Sequence, residues 1–192
     1  ENNAMNAPER KILVLGVTGS IAAYKAADLT GKLRQHGVEV RVIMTQNATR
    51  LVSPQTFFTL SQAPVTTSLW DDPVQWRPKH VELALETRAL LIAPATADIL
   101  AKMAHGIADD ALSTFCLSHD GPVYVAPAMN PRMWKHPATV GNCRILAERG
   151  VKFIGPVCGR VACGEPGMGR MAEVEDILAA ILPAMGKNVK TG

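Results

Sequence analysis

Asn130 lies in the segment Pro127-Ala-Met-Asn-Pro-Arg-Met-Trp134, directly after the apolar run Pro122-Val-Tyr-Val-Ala126. An Asn just past the end of a buried strand offers both donors and an acceptor. It can therefore read a planar group such as a carboxylate or an amide. Met129, Met133 and Trp134 suggest a shaped apolar wall around it, although the pattern also fits a plain Asn turn with two core methionines. His80 opens the amphipathic segment His80-Val-Glu-Leu-Ala-Leu85. An imidazole titrates near neutrality and is the usual general base, but a lone His at a helix start also serves as a cap or a surface residue. Cys163 sits in Gly159-Arg-Val-Ala-Cys-Gly-Glu-Pro-Gly-Met-Gly-Arg170. A stretch so rich in glycine buries little and moves easily, so it reads as a flap over a site. A Cys there is easier to justify as a reactive thiol than as core, with Cys158 as its competitor.

A second set of polar residues falls at turns. Gly16-Val-Thr-Gly-Ser20 follows a strand and enters a helix, where glycine permits close approach and the helix N-terminus favours an anion. It is neither the dinucleotide fingerprint nor a Walker A loop, and a tight turn with a capping Ser fits it as well. Thr45-Gln-Asn47, Thr96-Ala-Asp98, and Asp109, Asp110, Ser113 and Thr114 add further polar turns. Several such turns on one sheet edge suggest a phosphate-bearing cofactor lying across a crevice. Lys102, Arg132 and Lys135 are candidate cations for a phosphate.

These groups need a frame. Apolar runs at residues 11–17, 38–44, 88–93, 122–126 and 151–155 read as buried strands. Helical patterns at 21–35, 54–62, roughly 95–105, 109–117, 137–149 and 173–185 alternate with them. Ser53-Pro54 is an N-cap followed by Pro at the first helical position. Residues 63–79 read as a long loop, and 156–171 as irregular. Strand–helix alternation with continuous strand hydrophobicity predicts an α/β fold with a parallel, doubly wound sheet. The ligand crevice then lies beyond the carboxyl ends of its strands.

The 192 residues favour one domain over residues 11–186, with 47% hydrophobic residues to build its core. Residues 1–10 are polar and patternless and are expected to be a disordered tail or cloning remnant. Residues 187–192 are expected to be a tail or the start of a linker. A net charge of +3 without a basic block, and 5% aromatics, argue against a nucleic-acid partner. No apolar run approaches the ~20 residues that span a bilayer. The four cysteines show no metal-ligand or disulfide spacing, so no metal is expected and an intracellular, cytoplasmic setting is.

Taken in order, several stretches together resemble the flavin-dependent cysteine decarboxylase family. They are Gly16 to Lys25, His80, Ala93-Pro-Ala-Thr-Ala-Asp98, Gly106-Ile-Ala-Asp-Asp110, Pro127 to Trp134 and Ala162-Cys-Gly164. Within that family the likeness is to the branch that decarboxylates 4′-phospho-N-pantothenoylcysteine to 4′-phosphopantetheine in coenzyme A biosynthesis. The resemblance implies a three-layer α/β/α Rossmann-like sandwich that binds FMN at Gly19, Ser20, Thr45, Ser53, Ala95, Thr96, Ala97, Asp98 and Ser113. It implies Asn130, Met133, Ala162 and Cys163 at the substrate. It makes His80 the base of an oxidative step that yields a thioaldehyde. Asn130 would hold the carboxylate, and Cys163 would protonate the enethiolate left after CO2 departs, during its final reduction by the reduced flavin. It further implies a homotrimer or a dodecamer, and a ligase domain fused in many bacteria. Many members have Asn where this chain has Asp98, which puts a contact from that side chain to a flavin carbonyl in doubt. A flavin prenyltransferase would not need His80, Asn130 and Cys163 together. A peptidyl-cysteine decarboxylase would need the 63–79 loop to admit a peptide. A non-enzymatic FMN-binding regulatory subunit could dispense with a catalytic residue.

Overall fold

A computed structural model describes residues 11–70, 79–160 and 166–187. The expected N-terminal tail, Trp76, Ala162, Cys163 and residues 188–192 lie outside the described residues. The chain order is β1 (Ile12–Val17), α1 (Ala23–Gln35), β2 (Glu39–Met44), α2 (Gln46–Thr49), α3 (Pro54–Ser61), β3 (Val65–Thr66), α4 (Lys79–Glu86) and β4 (Thr87–Ala95). It continues with α5 (Ala97–His105), α6 (Ala111–Ser118), β5 (Val123–Pro127), α7 (Pro131–Lys135), α8 (Pro137–Glu148), β6 (Lys152–Phe153), β7 (Val157–Arg160), β8 (Pro166–Arg170) and α9 (Val174–Ile181).

Six strands form one sheet in the order β3-β2-β1-β4-β5-β6, and every pair is parallel. That order is the doubly wound Rossmann arrangement, which reverses direction between β1 and β4. The strand period of two places successive side chains in opposite layers. Leu13, Leu15 and Val17 of β1 join Leu29 and Leu33 of α1, Phe57 of α3, and Ile177 and Ile181 of α9. Ile12 and Val14 face the other way, joining Ile99 and Leu100 of α5, Phe115 of α6 and Leu146 of α8. The result is the expected three-layer sandwich with a core on each face of the sheet. No described helix is long and apolar enough to cross a membrane.

Two regions contain strands beyond those expected. Residues 63–79, read as a loop, contain the short edge strand β3, which pairs with β2 through Val42–Val65 and Ile43–Thr66. Two residues are too few to show an alternation. Residues 156–171, read as irregular, contain an antiparallel pair, β7 with β8. The glycine content predicts looseness there. Two of the glycines instead serve close packing, as described next.

Candidate functional site

The crevice begins where β1 and β4 end. Thr18 is 1% exposed. Its hydroxyl donates to the Pro94 carbonyl at 2.6 Å and accepts from the Thr96 amide at 3.1 Å, so one side chain staples the two strand-end turns. Ser20 opens the entry to α1, its Oγ accepting from the Ala22 amide at 3.3 Å. At Gly19 an added Cβ would stand 2.4 Å from Asn47 Cβ, so only glycine lets the turn after β1 lie against the turn after β2. Thr96 caps α5 by accepting from Ile99 N at 3.4 Å.

The opposite side is built by Pro127–Lys135 and the hairpin. Asn130 is the N-cap of α7, its Oδ1 accepting from the Met133 amide at 2.8 Å, with Pro131 at the first helical position. Only a carbonyl oxygen can accept there, so the cap fixes the amide's orientation and leaves the Nδ2 donors for a ligand. β8 docks on this segment through its glycines. The Met129 amide donates to the Gly169 carbonyl at 3.0 Å. A Cβ on Gly169, whose φ is +147°, would lie 2.3 Å from the Met129 oxygen, and one on Gly167 would lie 2.8 Å from Pro131 Cγ.

Between these two sides lies a cavity of about 510 Å³, lined in part by Gly19, Ser20, Thr96, Ala97, Asn130 and Met133. Those are six of the site residues read from the sequence, drawn from three strand ends. Met129, part of the expected apolar wall, also lines it, while Trp134 does not. Other expected residues stand elsewhere. Ala95 is buried at the end of β4. Thr45 caps α2, accepting from Ala48 N at 3.3 Å. Ser53 caps α3, as its Ser-Pro signature indicates, and borders a separate groove along that helix. Ser113 is buried in a capping box with Asp110. Asp98 turns to Lys102, whose Nζ lies 3.4 Å from it, 3.0 Å from Asp109 and 3.5 Å from Asp110. Of His80 only the backbone position is described, in the first turn of α4.

Sequence reasoning passed over Ile21, Tyr24, Lys25, Arg170 and Met171, which also line the cavity. Residues 21, 24 and 25 have the helical spacing that puts them on one face, and this was the signal available. Electrostatics separates the polar groups further. Burial pulls the Lys102 ammonium down, but Asp109, Asp98 and Asp110 together outweigh it and leave it above its ordinary value. The same Lys102 holds the Asp109 carboxyl below the usual range. Burial pushes the Cys116 thiol up to about 12 and also raises Cys143, which disfavours the thiolate at both. Cys158 is exposed on β7. Among the described residues no cluster of metal-ligating side chains occurs.

Comparison with known proteins agrees with this geometry. The model of the flavoprotein family matches residues 1–186. The coenzyme A biosynthesis bifunctional protein CoaBC of Vibrio vulnificus is 44% identical over 169 residues, which is 88% of this chain and 42% of that protein. CoaBC of Bacillus subtilis is 45% identical over 166 residues, 86% of this chain and 41% of that protein. The chain thus spans about two fifths of the length of these relatives. Among solved structures, a mutant PPC decarboxylase complexed with pantothenoylaminoethenethiol superposes with a TM-score of 0.80 at 30% identity, covering 90% of this chain and 97% of that one. The FMN-dependent cysteine decarboxylase SpaF gives 0.78 at 34% identity, covering 93% and 96%. The chain belongs to the flavoprotein family, and within it to the FMN-dependent cysteine decarboxylases.

Proposed function

We propose that this chain catalyses the FMN-dependent decarboxylation of 4′-phospho-N-pantothenoylcysteine to 4′-phosphopantetheine. The observation that carries the reading is Asn130. Its oxygen is committed to the α7 cap and its amide donors remain at the crevice, opposite the Gly19–Ser20 and Thr96–Ala97 turns. A carboxylate accepts from such donors, and loss of CO2 removes that contact. Likeness to CoaBC and to a PPC decarboxylase supports the substrate. A cavity of about 510 Å³ falls in the ~300–1,000 Å³ range of small-ligand sites.

The residues present fit a flavin mononucleotide. Gly19 keeps the first turn free of a side chain, and Ser20, Thr96 and Ala97 surround the same space. When bound, FMN supplies a reversible two-electron acceptor for the cysteinyl end of the substrate. Asn130 orients the carboxylate, and Ala128, Met129 and Met133 exclude water from around it. His80 is proposed to take the proton in the oxidative step, and Cys163 to return one to the enethiolate carbon. A homotrimer or dodecamer, a fused ligase domain and a cytoplasmic location belong to the same proposal.

The test is the absorbance spectrum of the purified protein, followed by addition of 4′-phospho-N-pantothenoylcysteine. A yellow protein that releases CO2 and forms 4′-phosphopantetheine is the expected result. A yellow protein without turnover would favour the prenyltransferase, peptide or regulatory readings. A protein that cannot be loaded with FMN would end the flavin assignment.

A further inference from the structure

One carboxylate answers two cations on the crevice wall. Lys25, in the first turn of α1, places its Nζ 2.9 Å from Glu173 Oε2. Arg170, the last residue of β8, donates to the other oxygen of the same carboxylate. Both cations line the cavity. The two cations thus share a single carboxylate, while Glu175, which Lys25 also influences, is paired with Lys32. The Lys25 side chain is only 14% exposed, so its charge is less screened than one in open solvent.

Two observations set this cluster apart from an ordinary structural ion pair. Glu173 is the N-cap residue of α9, a position where a side-chain oxygen ordinarily accepts from a helix amide. Its carboxylate makes no such bond and reaches the two cations instead. The packing of α1 on α9 also has its own supports. Lys32 pairs with Glu175 at 2.6 Å, and Leu29 and Leu33 share a core with Ile177 and Ile181. The helices do not need Glu173 to stay together. Glu173 therefore orders the two cations on the cavity wall in place of capping α9.

We propose that Lys25 and Arg170, held on the wall by Glu173, form the subsite for the phosphate monoester of a ligand entering this crevice. A guanidinium fork with an ammonium beside it matches the geometry and the double charge of a phosphate monoester. Ser20, on the same rim, leads into the N-terminus of α1, which also favours an anion. Lys102, Arg132 and Lys135, the cations expected from sequence for this task, do not line the cavity. The proposal rests on the flavin-dependent decarboxylase reading, in which cofactor and substrate both carry a phosphate monoester.

The experiment measures two phosphate preferences in wild type, Lys25→Met and Arg170→Met. One is the affinity for FMN against riboflavin. The other is kcat/KM for N-pantothenoylcysteine with and without its 4′-phosphate. In both variants one of these ratios is expected to fall about tenfold or more, the size of a lost charge-assisted hydrogen bond. A fall in the flavin ratio places the cofactor's phosphate here, and a fall in the substrate ratio places the substrate's. Unchanged ratios in both variants overturn the proposal. Lys32→Met breaks a link between the same two helices away from the cavity and should leave both ratios at the wild-type value. If it lowers them equally, the effect is packing and the subsite is rejected. A wild-type protein that binds FMN but turns over neither substrate ends the decarboxylase reading, and the flavin ratio then decides the subsite alone.

Discussion

On the sheet side of the crevice, a threonine that is 1% exposed has its hydroxyl engaged by the neighbouring turn, and the strands beneath it are buried on both faces. On the hairpin side, two short antiparallel strands pair, and β8 reaches the same space and touches the body through glycines and exposed charges. A two-stranded hairpin is marginally stable by itself. Much of the stability is therefore stored on the sheet side, while the hairpin side can change shape at little cost to the whole. This is a division of labour between a rigid floor and an adjustable wall. It predicts that damage on the hairpin side is read in activity, and damage on the sheet side first in stability.

The largest effect is expected at Asn130, where the wall meets the ligand. Asn130→Asp keeps an oxygen to cap α7, and a carboxylate at a helix N-terminus is favourable. Stability should hold to within about 0.5 kcal/mol. The donors toward the crevice are gone, however, and a like charge now faces the substrate carboxylate. Decarboxylation should fall by about 10²–10³, the usual cost of losing a preorganised donor. Steady-state CO2 release and a melting curve on the same sample test both halves. A variant that keeps its activity would remove Asn130 from the reaction.

Gly169→Ala should follow. A Cβ there would lie 2.3 Å from the Met129 oxygen at a φ of +147°, so β8 must move off the Asn130 segment. A displacement of the order of 1 Å costs roughly a hundredfold in rate. Tm should drop only a few degrees, because the hairpin contributes little to the two cores. A variant that unfolds outright, or stays fully active, breaks the comparison. Thr18→Val tests the floor in the opposite sense. It is close in volume, but it leaves the Pro94 carbonyl and the Thr96 amide without their buried partner. That should cost about 1–3 kcal/mol, seen as a lower midpoint in urea, with the FMN-loaded fraction falling in parallel.

What the sequence disclosed follows the same division. The floor is built by local rules that leave signatures. Apolar runs gave the parallel strands, and Ser53-Pro54 marked a helix start. Gly16 to Ser20 marked a turn whose glycine meets Asn47. The wall is built by contacts distant in sequence. Arg170 stands only three residues from Glu173, but Lys25 meets that carboxylate only once α1 and α9 have packed, and no spacing in the chain announces the second contact. Asn130-Pro131 also carries a legible capping signal for α7, which the reading of Asn130 as a ligand contact or a plain turn does not use. Asp98 looked like a ligand because of its place in the motif. Its carboxylate lies 3.4 Å from Lys102 four residues along, an i,i+4 pairing that can also be read directly from the chain.

That Lys102 cluster gives the smallest expected effect, and it sharpens the contrast with Lys25. At Lys102 three carboxylates surround one cation, tying α5 to the start of α6 away from the cavity. At Lys25 two cations share one carboxylate on the cavity wall. Lys102→Met should therefore leave the phosphate preferences untouched and cost only stability. Since two of the three carboxylates, Asp98 and Asp109, are largely exposed, the cost should be about 0.2–1 kcal/mol, or roughly 1–4 °C in Tm for a chain of this size. The pH dependence has a definite sign. Lys102 holds the Asp109 carboxyl below its ordinary value in the folded state. The stability it contributes is present above the unfolded carboxylate pKa of about 4. It is lost as pH falls through the lower folded value. Wild type and Lys102→Met should thus differ in Tm by a constant amount between about pH 6 and 8, and converge as the solution is taken below about pH 4. A difference that persists at pH 2.5 would mean that Lys102 acts through the packing of its methylene stem and not through Asp109.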